Sequence, residues 1–494
     1  MKTCRVLLSL LLPLLLLPFV VSSCAAPDEQ GIKRLIAEGD FTRAQAAIQQ
    51  FLRQDTTLSP LQRLHWEFEI DRMERIKLDF RKNDQDVKTY VGKYMPSLTD
   101  EDYARFEQAR VLEAMTIDGE KRYFNNAARN LFRLDPAARA IWKENHKDEP
   151  AETGLASEQG LDAHIAQVVE AAVKSGKPFV KPVRFRITYS IAVNGDEVPE
   201  GEVIRCWLPF PREIPGRQEQ IRLVSTDPPA HIVADNEAHL QRTVYLEKPS
   251  AGHAKTTFSV RYEYVSNGVY VPADPALVRT PVLSQELASF VREEPPHIVF
   301  TPELKDLSKS IVGTETNPLL IARKLFAWVD TNVTWASARE YSTVPNLSMY
   351  AFENRHADCG MQALLFITLC RLNGIPARWQ SGWEFRPPSD SMHDWGMIYF
   401  EPYGWVPMDV TYGLRESADD AVKFFYVNGM DSYRLIFNDA IAQPFYPAKT
   451  FPRSETVDSQ RGEVEWRGGN LYFNQWDWDL HWEEVTAEKA SFGD

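Results

Sequence analysis

The chain has 494 residues, 44% of them hydrophobic and 12% aromatic, enough for two to four packed domains. Its formal charge is −14 with the acids scattered along it, which excludes a nucleic-acid binder and reads as solubility. Five cysteines, Cys4, Cys24, Cys206, Cys359 and Cys370, are too few for a disulfide scaffold.

Residues 1–23 read as a leader. Lys2 and Arg5 precede an apolar run from Leu7 to Val21 that is short for a membrane span. Val21-Ser22-Ser23-Cys24 resembles a bacterial lipobox, which implies a lipoprotein signal peptide and a lipid on Cys24. Residues 24–30 would then be a tether, and the lipid would hold the protein to a membrane of the cell envelope. Ala25-Ala26 points to the outer membrane, on its periplasmic or its surface face.

Residues 31–175 are predicted to be a helical domain. Ile32 and Ile36, then Phe41, Ala44, Ile48, Phe51 and Leu52, recur at helical spacing across a Gly39-Asp40 break. The same periodicity predicts helices over 56–78, 98–117, 123–134 and 136–143, without a clean repeat at 34 residues. From 179 to 272 the pattern changes to alternation, as in Arg184-Phe185-Arg186-Ile187-Thr188-Tyr189-Ser190-Ile191, and predicts a small β-sandwich domain. A proline-studded link leads to a third domain, residues 300–494 with a C-terminal extension. It opens with helices over 302–312 and 318–333, continues through an irregular stretch, 337–356, and reaches a helix beginning at Cys359. Strands over 377–385, 393–400 and 405–410 follow. Near the end, Trp476, Trp478, Leu480 and Trp482 alternate with polar residues, as in a strand with one buried face. The fold class is therefore α+β and multidomain.

Chemistry concentrates in the third domain. Asp358 is a natural N-cap, which places Cys359 in the first turn of its helix. Free main-chain N–H groups there favour a thiolate and an oxyanion on an attacked carbonyl, while Asp358 opposes the thiolate by like charge, so an imidazolium partner is required. His393, in a strand, suits the general base, and Asp409, in the next strand, suits the group that holds the imidazole. A turn between 402 and 403 with a shift of about three residues would set 393 level with 409 on one face. His356 is a rival base that would have to fold back from the loop before the helix. Cys206 and Cys370 read as buried free thiols. The loop 387–392 stands where it could shape substrate entry. No His-Glu-x-x-His, Cys-x-x-Cys or phosphate-binding loop occurs, so neither metal nor cofactor is implied.

Asp358-Cys359-Gly360, Cys370-Arg371-Leu372-Asn373-Gly374-Ile375-Pro376, His393-Asp394-Trp395 and Gly404-Trp405-Val406-Pro407-Met408-Asp409 together resemble the bacterial transglutaminase-like superfamily. The likeness covers about residues 300–415. It implies a papain-like core with Cys359 as nucleophile, His393 as base and Asp409 as orienter. It further implies an upstream aromatic residue that assists the oxyanion, for which Trp335 is the match. Where the superfamily usually has His-Ala-Trp, this chain places a charge, Asp394, beside the base. The expected activity is a thiol hydrolase or acyltransferase working on a peptide or peptide-like amide. The alternative is a catalytically idle lipoprotein of the same fold that binds peptide or glycan.

Overall fold

The computed structural model describes residues 28–149 and 152–485. The leader and the proposed lipid site, Cys24, lie outside the described residues. Among the described residues no helix is long and apolar enough to cross a membrane.

The N-terminal helices bury Ile32, Phe41, Ala44, Ile48, Trp66, Met73 and Ile76 in a core of their own. Three of them begin with reciprocal capping pairs, Ser59/Gln62, Asn83/Asp86 and Thr99/Asp102, each satisfying N–H groups that a helix start leaves open. The helix expected over 98–117 stops early. Asp100–Gln108 is helical, and Ala114–Ile117 pairs antiparallel with Glu120–Tyr123. The cause is Asp118-Gly119, both at positive φ (50° and 83°), a two-residue hairpin turn that outweighs the periodicity on either side.

The helix Glu158–Ser175 also departs from expectation. It falls inside the predicted helical domain, yet Leu161, Ile165, Val168 and Ala172 pack into the core of the third domain. Its apolar face is used there, and Gly176, left-handed at φ 65°, turns the chain into the first long strand.

The sandwich has two five-stranded sheets. Phe179–Val193 pairs with Thr256–Tyr270, and Val203–Pro209 pairs with Thr243–Pro249. The tail does not stay with the third domain: Trp476–Glu484 extends the first sheet along Phe179–Val193, and Glu463–Trp466 extends the second along Val203–Pro209. The alternating tail is thus an edge strand. Trp476 is buried, Trp482 lies against Phe385 with ring centres 5.1 Å apart, and Trp478 is 45% exposed.

The third domain is built on the helix Cys359–Leu372, with every residue from Gly360 to Arg371 buried. A helix apolar all round can only sit centrally, and each Leu, Ile or Phe buried there contributes about 1.5–3 kcal/mol of transfer free energy. It ends at Asn373, and Gly374 follows at φ 71°. Beside it lies a four-stranded antiparallel sheet in the order Gly404–Met408, Ser389–Phe400, Ala377–Arg386, Arg434–Asn438.

Candidate active site

The Asp358 carboxylate accepts the Met361 N–H at 3.2 Å and closes the first turn, so Cys359 stands at the helix start, half-buried. Strand Ser389–Phe400 passes this end. His393 faces Gly382 and Asp394 faces Ser381 in an unbroken register, so the two adjacent side chains leave the strand in opposite directions.

His393 turns to Asp409, with Nε2 2.8 Å from Oδ2. The expected three-residue shift does not occur. Gly396 faces Met408, which sets Asp409 level with Trp395, and His393 is reached diagonally on the same face. The turn centres on Pro402, one residue from the unshifted pairing and two from the expected one. Asp409 is fully buried, and burial alone would raise its pKa; His393 and the Arg434 guanidinium, 3.0 Å away, more than offset this and hold it below the ordinary value. Arg434 is itself fully buried among Asp431 (2.9 Å), Asp409 and Glu384 (3.2 Å). A buried cation bridging three carboxylates ties the end of the four-stranded sheet to the residues behind it. Sequence reasoning did not identify Arg434, because its partners lie up to 50 residues away.

The sulfur has a different neighbour. Cys359 Sγ donates to Asp394 Oδ2 at 3.5 Å, and the same oxygen accepts the Tyr341 hydroxyl at 2.9 Å. Gln460 Nε2 donates to Asp394 Oδ1 at 2.7 Å and to the His393 carbonyl at 3.0 Å. The expected sulfur–imidazole hydrogen bond is absent among the described residues, and its place is taken by a carboxyl. Burial first, then the charges of Asp394 and Asp358, push the Cys359 thiol well above its ordinary pKa. The helix start was expected to favour a thiolate against Asp358 with an imidazolium partner beside it; burial and then two carboxyl groups, with no imidazole in contact, reverse the balance. Asp394 was visible in the sequence as the charge that interrupts His-x-Trp, and period-two alternation separates it from His393. Tyr341 and Gln460 carry no such signal.

The thiol opens onto a cleft of about 210 Å³. Its walls include Trp335, Tyr341, Met392 and the segment 454–461, which contributes Glu455, Asp458, Gln460 and Arg461. Trp335, 43% exposed, pairs with Ala357 just ahead of Cys359, and the Arg133 guanidinium lies 4.9 Å over its ring. His356 is elsewhere: its Nε2 meets the Arg110 carbonyl at 3.0 Å. Of the expected entry loop, only Pro387-Pro388 remain outside strands, and Met392 alone lines the cleft. Cys206 and Cys370 are free and buried. Among the described residues, no cluster of His, Cys, Asp and Glu is arranged to hold a metal ion.

Residues 305–410 match the family model of the transglutaminase-like superfamily. The fold is similar to a solved structure described as "a Putative Cysteine Protease from Cytophaga hutchinsonii", at 16% identity and a TM-score of 0.43, covering 63% of this chain and 93% of that one. It is also similar to the periplasmic domain of TgpA from Pseudomonas aeruginosa, at 13% identity and a TM-score of 0.25, covering 50% of this chain and 91% of that one. No curated protein matches the chain.

Proposed function

We propose, from the premise that residues 305–410 of this chain form a transglutaminase-like domain, that it is a thiol enzyme of the cell envelope, anchored through a lipid on Cys24, that cleaves amides in a peptide or peptide-like substrate. One observation carries the reading: a cysteine at a helix start lines a cleft at the strand that holds a buried His393–Asp409 pair. Cys359 attacks the amide carbonyl, a carbon–sulfur bond forms, and the thiol proton passes to His393. The N–H groups of the helix start, assisted by Trp335, receive the oxyanion. Collapse breaks the carbon–nitrogen bond, His393 returns the proton to the leaving amine, and water hydrolyses the thioester. An amine in place of water would make the product a cross-link, but water is the more abundant nucleophile at an open cleft. His393 and Asp394 leave the strand on opposite faces, so the thiol proton reaches His393 only once the Cys359–Asp394 hydrogen bond opens and Sγ turns toward the His393 face, while Asp409 and Arg434 keep the imidazole oriented.

The test is release of amine from a panel of peptide and peptidoglycan fragments. Cys359→Ala should abolish release, and His393→Ala should lower it by about 10²–10⁴, the usual worth of a positioned general base. Undiminished release by Cys359→Ala would overturn the reading. A second reading, a binding module of the same fold, is favoured by the sulfur's hydrogen bond to a carboxyl instead of an imidazole. It predicts that the wild-type protein retains a fragment of the panel and never cleaves it.

A further inference from the structure

Five carboxyl groups line the cleft beside Cys359: Glu340, Asp358, Asp394, Glu455 and Asp458. Two guanidinium groups, Arg339 and Arg461, share the wall, and both are engaged. Arg461 is 2.8 Å from Glu340, and Arg339 is 3.1 Å from Glu113. The carboxyls therefore outnumber the cations that could answer them. Asp394 and Asp458 face each other across this cleft, and the charge of Asp458, after burial, pushes the Asp394 carboxyl well above its ordinary range. Another wall residue, Ser454, is 2% exposed and its hydroxyl has no partner. A buried unpaired hydroxyl beside under-compensated acids is a place left for a donor that the protein itself does not supply.

We propose that this cleft accepts the positively charged group of the substrate, an ammonium or guanidinium close to the amide under attack, and that Asp394 is the residue that reads it. The inference rests on Cys359 being the nucleophile. Without a cation, Asp394 accepts the hydrogen bond of the thiol, and burial with the charges of Asp458 and Asp358 pushes its own carboxyl well above the ordinary range. A cation seated among Asp358, Asp394 and Asp458 answers those charges, so the thiol can give its proton to His393. Binding and activation are then one event, and a neutral or anionic substrate of the same shape reacts slowly. Asp358, raised to about 7 by burial, and Asp458, raised to about 6 by burial, lose protons across the neutral range. The preference for a cation should therefore strengthen from pH 6 to pH 8. Glu340, Glu455, Arg339, Arg453, Arg461 and Tyr341 are the other charged and titratable groups beside these acids among the described residues.

The experiment needs no knowledge of the substrate. Full-length protein is treated with 2-aminoethyl methanethiosulfonate, a cation, and with 2-sulfonatoethyl methanethiosulfonate, an anion, and modification of Cys359 is followed by mass. In each case the sulfur forms a disulfide with the reagent and methanesulfinate leaves. Divided by the same ratio for a small free thiol, the cation-to-anion rate ratio should exceed ten at pH 8 and low salt. Asp394→Asn should lower it at least fivefold while speeding labelling by neutral iodoacetamide. Asp458→Asn, which does not touch the sulfur, should lower the ratio as well and guards against a fold defect in the first variant. A normalised ratio near one in the wild type, or a ratio that neither variant moves, overturns the proposal. The ratio is measurable on a slow thiol, so failed amine release sinks the enzyme reading without deciding this one, and the reverse also holds.

Discussion

Two neighbouring side chains, His393 and Asp394, divide the site between them. Both residue types were readable from the sequence, and so was the alternation that separates them. What could not be read was the partner on each side, because Arg434, Tyr341 and Gln460 arrive from segments with no local signature. Arg434 offers a test at this scale. Arg434→Met leaves Asp409, Asp431 and Glu384 buried without their shared cation, and the loss should be about 3–5 kcal/mol in a denaturant melt. The acids in the cleft give a second. Asp458 is raised to about 6 in the fold against an ordinary carboxylate near 4, so ionising it costs stability. The cost is absent below about pH 4, grows as pH rises to 6 and is complete above it. Asp458→Asn should therefore flatten the fall in melting temperature between pH 4 and pH 6.

At the scale of elements, the nucleophile helix was the most legible part of the chain. Its N-cap, its unbroken apolar run and its Asn-Gly-Ile-Pro stop predicted a central helix, and Cys359–Leu372 is one. The hairpin that carries His393 and Asp409 was also legible, with Asp409 level with Trp395 instead of His393, two residues from the expected register, because pattern alone does not fix a turn. Between 98 and 117 the reading failed, since helical spacing was trusted over Asp118-Gly119. Contact between the helix start and its neighbours is close enough to test. A Cβ on Gly360 would lie 2.1 Å from the Tyr341 hydroxyl and 2.7 Å from Asp394 Oδ2. Gly360→Ala should displace Tyr341 from Asp394 and change the iodoacetamide labelling rate of Cys359 at least tenfold, with the helix core intact by circular dichroism. An unchanged rate would mean that the Tyr341–Asp394 contact does not govern the sulfur.

On the scale of the molecule, the α+β class was readable, because periodicity reports local structure. The pairing of distant segments was not. Nothing near residue 480 says that it will lie beside Phe179–Val193, and nothing near 165 says that its helix will join the third core. The tail strands carry a prediction. Truncation after Gly462 removes Glu463–Trp466 and Trp476–Glu484 and uncovers edges of both sandwich sheets. The shortened protein should melt lower and aggregate, as light scattering during a thermal ramp would report.

The segment 454–461 closes one wall of the cleft, and the strand Glu463–Trp466 just beyond it is held in the second sandwich sheet by Val203–Pro209. Cys359 precedes Ser454 by 95 residues in the chain. A nascent chain therefore carries this thiol before the wall beside it has been made, and the finished cleft depends on a sandwich strand that joins it late in folding.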